Sequence, residues 1–362
     1  MSNRVSTRKR QEEKANRKAE GECGMKRVVK SVMANLFCGI LILGICGCGG
    51  GAQQSTDVQA SEESAVGTSA SAEKTVRISV AAASNIDMPE LISCTDGSSL
   101  EILKYPDGML GSDYDIVQGC QAGTVSVYIG NATMSTDAVP ELSLLSIPYL
   151  IDDFDTYQDT LQNTWKDWFQ PYYHKSGLQL LAWSSDYDGY LVSSVPIHTL
   201  EDLQDVNLRI IKNRYRERYW SGLVRNVFSL TYDEIGYYLQ TGQINASEVG
   251  LKAMLHFGDM NYFHYLVPVG HIPAINSVVM NQEEYEALTA EQQELLTEYA
   301  QAAITSGEDV VQTCMDEYNL EISEPDEELK ALLRSGKAGI IEDLRRSLGT
   351  ELVEDFLSTT AP

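Results

Sequence analysis

The sequence predicts an α/β fold, in which short strands alternate with amphipathic helices. Between residues 75 and 129, segments with alternating apolar residues are separated by a turn and by a short segment of helical periodicity. Residues 289–320 form the longest segment with helical periodicity. With 362 residues, the chain is also long enough for a large core and for more than one domain.

One polar residue that follows the first predicted strands is a candidate site residue. Strands are predicted at Thr75–Val80, Leu100–Tyr105 and Val125–Ile129, a turn at Pro106–Gly108, and a helix over 113–122 that Gly123 ends. Asn131 comes just after the third strand. Because ligands of α/β sheets bind at the carboxyl ends of strands, Asn131 is a candidate ligand-binding residue. The alternative is that Asn131 only makes the turn.

A later strand carries a basic residue in an apolar frame. Arg209 lies between Leu208 and Ile210, as on a short, half-buried strand. A guanidinium held there offers a planar fork of donors that suits a carboxylate. Arg209 is therefore predicted to anchor an acidic ligand, and the alternative is that it pairs with one of the chain's own acids.

Helices are predicted in the second half of the chain. Thr231 and Glu234 form a capping-box pattern at the start of a helix that ends at Gly242. Residues 289–320 are expected to form one helix about 45 Å long, with Thr289 and Gln292 as its capping box and Gly307 as a site for a kink. Amphipathic helices follow over 329–357.

The charge of the chain argues against nucleic acid as a partner. The net charge is −25, and the first 47 residues hold 10 basic and 4 acidic residues. The remaining 17 basic and 48 acidic residues give a net charge of −31, which repels nucleic acid. Six of those 17 basic residues fall between Arg209 and Arg225, and we interpret Arg214, Arg216 and Arg218 as a solvated face.

Cysteine and histidine spacing predicts neither a metal site nor a cofactor. Cys94, Cys120 and Cys314 have no paired spacing, so no disulfide framework is expected, and Cys314 is assigned to the core. His256 and His264 are eight positions apart and do not share a helical face, which argues against zinc.

The N-terminal residues predict export and anchoring. Residues 1–24 are expected to be disordered or a mis-called start, and residues 25–47 a lipoprotein signal peptide whose apolar run is too short to span a bilayer. Ile45 to Cys48 resembles a bacterial lipobox, which implies lipidation of Cys48 and anchoring to the outside of the cell membrane. Residues 48–74 form a flexible tether. The alternative is ordinary secretion with Cys48 lost or free.

Five motifs in a fixed order identify a family. They are Tyr105–Gly111, Gly123–Val127, Val139–Leu150, Pro196–Ile210 and Tyr238–Asn245. The set resembles the solute-binding subunit of TRAP (tripartite ATP-independent periplasmic) transporters of the DctP type. The resemblance implies a periplasmic-binding-protein-like clamshell of two α/β lobes with a long helix spanning both. Lobe 1 would comprise residues 75–187 plus 274–313, and lobe 2 residues 188–273 plus 314–360, with the helices of 329–357 packing on lobe 2.

The resemblance also implies a function. The chain is expected to be a monomeric, extracytoplasmic receptor, not an enzyme, that delivers a small sugar acid, keto acid or related carboxylate to TRAP permease subunits. Arg209 would bind the carboxylate and Asn131 would contribute from lobe 1. Further ligand-binding candidates, each with a structural role as the alternative, are Glu248, Asn213, Trp183 and Tyr187. His271 is a ligand contact or a structural hydrogen-bonding residue.

Two departures from the family affect the ligand class. The second arginine of the family is absent between Asp188 and Tyr190, and a frequent ligand-binding asparagine is replaced by Val249. One carboxylate with neutral hydroxyls is therefore expected rather than a dicarboxylate. A receptor that feeds a signalling kinase remains an alternative. So does an anchored hydrolase, although no nucleophile, zinc or phosphate-loop motif supports it.

Overall fold

Two mixed β-sheets with surrounding helices organise the chain. The computed structural model describes residues 75–186, 189–248, 250–270, 272–305 and 310–360, without the side chains of Asp186, Asp233 and Phe257. The strands are β1 (Thr75–Ala82), β2 (Leu91–Ser93), β3 (Ser99–Tyr105), β4 (Val127–Asn131), β5 (Leu178–Asp186), β6 (Tyr190–Ser193), β7 (Asn207–Ile210), β8 (Asn226–Ser229), β9 (Ala246–Glu248), β10 (Tyr265–Pro268), β11 (Ala274–Asn281) and β12 (Glu321–Ile322).

The α-helices lie mostly between strands in the first two thirds of the chain and follow one another at its end. They are α1 (Asp113–Gln121), α2 (Phe154–Thr160), α3 (Lys166–Lys175), α4 (Leu200–Gln204), α5 (Arg214–Trp220), α6 (Tyr232–Gln240), α7 (Leu251–Phe257), α8 (Gln282–Glu286), α9 (Ala290–Ile304), α10 (Val310–Tyr318), α11 (Glu327–Ser335), α12 (Lys337–Leu348) and α13 (Thr350–Ser358).

The first sheet has the strand order β2-β3-β1-β4-β11-β5. β1 is parallel to β3 and β4, and β11 runs antiparallel between β4 and β5. The predicted strands at 75–80 and 100–105 are confirmed, and their apolar residues Ile78, Val80, Leu100 and Ile102 are buried while the residues between them stay at least partly exposed. The predicted strand at 125–129 begins two residues later, so Asn131 is its last residue rather than the one after it.

The second sheet has the order β12-β10-β6-β9-β7-β8. β7 is parallel to β8 and β9, which leaves the carboxyl ends of these three strands at one edge. β6 runs antiparallel to both β9 and β10. The chain thus forms two α/β lobes, one around each sheet, as the resemblance implied. The boundaries at 187/188, 273/274 and 313/314 stay a prediction.

The predicted helix starts are confirmed by their caps. In α6, the Thr231 hydroxyl and backbone N–H both donate to the Glu234 carboxylate. In α9, the Thr289 N–H donates to Gln292 Oε1 and its hydroxyl accepts from the Gln292 N–H. These side-chain oxygens accept from backbone N–H groups that the start of a helix leaves without intrahelical partners.

The single helix predicted over 289–320 is wrong. Helix α9 ends at Ile304, whose carbonyl accepts a 2.7 Å hydrogen bond from the hydroxyl of Ser184 on β5. Thr305 then adopts an extended conformation, with φ −84° and ψ 120°, and α10 begins at Val310. Helix α9 packs in the core of the first lobe and α10 in that of the second, so two helices connect the lobes. Gly307 lies outside the described residues.

The last helix contacts the first lobe. Phe356 of α13 lies 5.2 Å from the rings of both Trp165 and Trp168, measured between centroids, and the Trp165 indole N–H donates to Thr359. The expectation that residues 329–357 pack on lobe 2 is therefore wrong for α13. Amphipathic periodicity identifies the buried face of a helix but not the surface that buries it.

The remaining expectations concern the N-terminal segments, the cysteines and membrane-spanning helices. The leader, the tether and Cys48 lie outside the described residues. Cys94, Cys120 and Cys314 are free thiols, and Cys314 is buried as expected. Among the helices of the described residues, none combines the length and apolarity that a bilayer crossing requires.

Candidate functional site: a cleft between the lobes

Two adjoining cavities lie between the lobes. The larger has a volume of about 290 Å³ and the smaller about 30 Å³. They share Asn131 and Ala274 from the first lobe and Ile211, Tyr232 and Gly250 from the second. A concave site walled by two separate bodies is a common location for a small ligand.

Arg209 lies at the inner end of this cleft. Its side chain is 0% exposed, so the strand is fully buried here rather than half-buried as predicted. Nε and Nη2 donate to the carbonyl of Leu230 at 3.1 and 2.7 Å, and the guanidinium carbon lies 5.0 Å from the centre of the Tyr232 ring. Burial lowers the pKa of Arg209, while Tyr232 and Glu248 oppose that shift. The cation–π contact and the carbonyl bonds partly replace the lost water.

These bonds determine which edge of the guanidinium a ligand can use. The Nε–Nη2 edge binds a carbonyl of the protein. Nη1 makes one long bond, 3.4 Å, to the backbone carbonyl of Glu248. The Nη1–Nη2 edge therefore has donors left for a carboxylate. Of the described side chains, no carboxylate forms an ion pair with Arg209, so the alternative that it pairs with an acid of the chain finds no support.

Arg216 forms a buried ion pair beside Arg209. Its Nη1 donates to Glu248 Oε1 at 2.7 Å, and the two side chains are 7% and 3% exposed. Both residues line the smaller cavity. The interpretation of Arg216 as part of a solvated face is wrong, because α5 turns this residue toward β9. Arg218, by contrast, is 64% exposed, with only a 3.5 Å ion pair to Asp343.

Asn131 lines both cavities from the first lobe. Its Oδ1 accepts hydrogen bonds from the backbone and hydroxyl of Thr133 at 2.9 and 2.7 Å, capping a short 3₁₀ helix. The turn role and the cavity position are thus both present. With Oδ1 engaged, Nδ2 is the group that can donate to a ligand.

The other predicted site residues do not all meet here. Asn213 caps α5 through Oδ1 and donates from Nδ2 to Ser146 of the first lobe at 3.0 Å, so it links the lobes outside the two cavities. Trp183 is a core residue rather than a pocket wall, because its indole N–H donates to Leu161 and its ring contacts Phe169. Tyr187, Val249 and His271 lie outside the described residues.

Two further contacts join the lobes near the cleft. His256 Nε2 of α7 lies 2.9 Å from Asp107 Oδ1 of the predicted turn, and the Tyr149 hydroxyl donates to the Val269 carbonyl at 2.7 Å. The lobes are therefore in contact on more than one side of the cleft. His256 lines the larger cavity.

Metal binding has little support among the described side chains. One cluster brings Cys94, Asp96 and Glu291 within 4.8 Å of one another, away from the cleft. The Glu291 carboxylate already accepts two hydrogen bonds from Thr95, at 2.7 and 3.1 Å. This cluster therefore joins α9 to a loop of the first lobe.

Most of the residues that line the cleft were not predicted from the sequence. Besides Arg216, they include Asp113 at the start of α1, Gly130 on β4 and Tyr232 at the start of α6. Asp113 and Tyr232 each occupy the first turn of a predicted helix at a lobe edge, which is the available sequence signal. Nothing in the local sequence indicates that these two helix starts line the same cavity.

Comparison with known proteins identifies a family and a fold. The model of the DctP family, described as bacterial extracellular solute-binding protein, family 7, matches residues 80–345. The ectoine/5-hydroxyectoine-binding periplasmic protein of Ruegeria pomeroyi is 27% identical over 212 residues, which are 57% of this chain and 62% of that protein. The 2,3-diketo-L-gulonate-binding periplasmic protein of Escherichia coli is 24% identical over 207 residues, 56% of this chain and 62% of that protein. Each match thus spans less than two thirds of the relative.

Solved structures show the same fold. A TRAP periplasmic solute-binding protein from Chromohalobacter salexigens with bound D-glucuronate has a TM-score of 0.69 at 17% identity, covering 78% of this chain and 99% of that one. The periplasmic ectoine-binding protein from Halomonas elongata has a TM-score of 0.66 at 19% identity, covering 78% and 99%. The two-lobe clamshell predicted from the motifs is therefore confirmed.

Proposed function

The chain belongs to the DctP family of bacterial extracellular solute-binding proteins, family 7, and we propose that it captures a small organic acid for a TRAP-type secondary transporter. The ligand would bind between the lobes and favour their closure, because only the closed form contacts it from both sides. Permease subunits in the membrane would be the protein partner of a monomeric receptor.

One observation carries this proposal. Arg209 is fully buried at the inner end of the cleft, makes no ion pair with a described carboxylate, and keeps donors on its Nη1–Nη2 edge. A buried cation that is held only by carbonyls and an aromatic ring is electrostatically unsaturated. A ligand carboxylate would complete its coordination with two parallel hydrogen bonds.

The ligand class follows from the neighbouring charges. No arginine occurs from Asp188 to Tyr190, where the resemblance implies a second one, and the charge of Arg216 is engaged by Glu248. The inner cavity thus carries one positive charge in excess. A ligand with one carboxylate and neutral hydroxyls, such as a sugar acid or keto acid, fits this balance better than a dicarboxylate. The names of two similar proteins, which bind 2,3-diketo-L-gulonate and D-glucuronate, agree with that class.

We also propose a lipid anchor at Cys48. The lipobox-like Ile45–Cys48 sequence follows an apolar run and precedes a linker rich in glycine, serine and alanine. An anchored receptor would stay outside the cytoplasm at the surface that holds its permease.

Two other functions have weaker support. A receptor that presents its ligand to a sensor kinase would use the same cleft, and membrane reconstitution with the permease would distinguish it from transport. The hydrolase alternative is not supported, since the family consists of solute-binding proteins.

Mutation of Arg209 tests the proposal. Native mass spectrometry of protein purified without refolding would identify a bound monocarboxylate, and calorimetry would measure its Kd. Truncating one partner of a buried charge pair costs about 2–5 kcal/mol, so Arg209→Ala should raise Kd by about 30-fold to several thousand-fold. Arg209→Lys should recover part of that loss, because an ammonium cannot reproduce the fork.

The matched control is Arg218→Ala, which removes an exposed arginine of the same lobe. It should change Kd by less than about twofold, since exposed charges are screened. A purely structural role for Arg209 predicts a different result, in which Arg209→Ala lowers the melting temperature while Kd stays the same. That outcome would contradict the proposed function.

A further inference from the structure

We propose that Asp113, held by Tyr128, is the specificity-determining acid of the first lobe and selects monocarboxylates whose far end carries hydrogen-bond donors. This inference rests on the proposed function of the cleft and names its substrate class. Arg209 would bind the carboxylate end of the ligand, and Asp113 would accept hydrogen bonds from hydroxyl or amine groups at the other end.

Tyr128 reaches Asp113 by an unusual route. The Tyr128 side chain is fully buried, and its hydroxyl donates to Asp113 Oδ1 at 2.8 Å. A Cβ at Gly130 would lie 2.1 Å from the Tyr128 hydroxyl oxygen and 2.4 Å from Cζ. The phenol therefore occupies the volume that a side chain at position 130 would need. Glycine at this position allows the buried tyrosine to extend past its own strand toward the cleft.

Asp113 is held by that bond in the wall of the larger cavity. The carboxylate belongs to the first residue of α1, is partly buried, and lines the cavity together with Gly130 and Asn131. Burial raises the pKa of Asp113, and the bond from Tyr128 opposes that shift. A carboxylate has about four acceptor positions, and Tyr128 uses one of them, so Asp113 retains acceptor capacity for a ligand.

A second tyrosine, Tyr232, lies between Asp113 and the arginine end of the cleft. Burial and the carboxylate of Asp113 raise the pKa of Tyr128. Tyr232 of the second lobe lines both cavities, and Asp113 lines the larger of them. Tyr232 in turn lies against the Arg209 guanidinium. Asp113 and Arg209 are thus the acidic and basic ends of one continuous cleft.

The remaining charges in the larger cavity do not change this polarity. Asp87 and Lys252 line it and have opposite charges, and both are exposed, so water screens them. His256 is engaged by Asp107. A second carboxylate on the ligand would therefore meet Asp113 without a buried cation to compensate it, and juxtaposed like charges are strongly unfavourable.

A matched pair of ligands tests the inference. Galactonate and galactarate share a hydroxylated chain, and galactarate replaces the terminal hydroxyl by a second carboxylate. Wild-type protein should bind galactonate about 100-fold more tightly than galactarate in calorimetry. Asp113→Asn should weaken the binding of galactonate by about tenfold and strengthen the binding of galactarate. The ratio of the galactarate Kd to the galactonate Kd should therefore fall by about 100-fold. Tyr128→Phe should lower that ratio partly, because Asp113 keeps its charge but loses its fixed orientation.

Two controls separate this inference from the proposed function. Asp115→Asn removes an equal charge from the same helical turn, on an exposed residue that does not line either cavity, and should leave the ratio unchanged. Arg209→Ala should weaken the binding of both ligands by a similar factor.

If Arg209→Ala weakens binding while Asp113→Asn leaves the ratio unchanged, the inference is overturned and the proposed function stands. Equal wild-type affinity for the two acids, or binding of neither, also overturns the inference. Ectoine serves as a third ligand because its donor end is cationic. Asp113→Asn should weaken the binding of ectoine more than it weakens the binding of galactonate.

Discussion

Neutralising Glu248 should destabilise the free protein and yet strengthen binding of an anion. Its carboxylate is the ion-pair partner of Arg216 at 2.7 Å, and both side chains are almost completely buried. Glu248→Gln keeps the size of the side chain but leaves Arg209 and Arg216 as two buried cations at one cavity. Burial lowers the pKa of Arg209, and the positive charge of Arg216 adds to that shift while Glu248 opposes it. Removing Glu248 therefore increases the repulsion between the arginines.

Both effects are large enough to measure. Removing one partner of a buried ion pair costs about 3–5 kcal/mol. At about 2 °C per kcal/mol for a chain of this size, the melting temperature should fall by about 6–10 °C. An uncompensated charge about 10 Å from the ligand carboxylate contributes about 1.7 kcal/mol at an effective dielectric constant of about 20. The Kd for a monocarboxylate should therefore fall by up to about 15-fold.

Circular dichroism melting and calorimetry on the same variants measure these quantities. Glu217→Gln, on an exposed residue of α5 beside Arg216, is the matched control and should change neither. Arg216→Met should raise Kd by about tenfold, because the released carboxylate of Glu248 competes with the ligand for Arg209. Arg216→Met combined with Glu248→Gln should recover most of the lost stability, as replaced buried pairs often do. A Glu248→Gln variant that melts like wild type, or that binds the acid tenfold more weakly, would refute this reasoning.

Three further predictions concern the anchor, the closure of the lobes and the last helix. Cys48→Ser should release the protein from membranes, and a variant that still fractionates with membranes and carries acyl mass would rule out the lipidation. Saturation with the identified ligand should reduce the radius of gyration in small-angle scattering, whereas an unchanged value would count against a clamshell. Phe356→Ala should lower the free energy of unfolding by about 3–5 kcal/mol in urea titrations, because its ring fills an aromatic cluster with Trp165, Trp168 and Phe169. A loss below about 1 kcal/mol would mean that α13 does not depend on this contact.

Local patterns in the sequence were sufficient for several elements of the secondary structure. The strands predicted at 75–80 and 100–105 and the helix starts after Thr231 and Thr289 agree with the structure. Alternation and capping boxes involve residues within a few positions of one another, so the sequence carries these signals directly. The order of five weak motifs also identified the family, which supplied the two-lobe arrangement.

The site could be predicted only in part. Arg209 was accessible to sequence reasoning because a basic residue within an apolar strand must find an internal partner or a ligand. Arg216 was not, since its partner Glu248 is 32 positions away and the local run of arginines suggests a surface. Trp183 was also predicted as a pocket residue, but its ring lies in the core and its indole N–H donates to the Leu161 carbonyl. The residue type alone does not distinguish a pocket wall from a core residue.

Tertiary packing decided the remaining features. The long helical pattern is interrupted after Ile304, whose carbonyl binds Ser184, a residue 120 positions earlier. Asp113 lines the cleft and accepts a hydrogen bond from Tyr128, a residue 15 positions later whose phenol occupies the space beside Gly130. Periodicity determines which side of an element is apolar, but packing between distant segments determines what covers that side and which charges share a desolvated cavity.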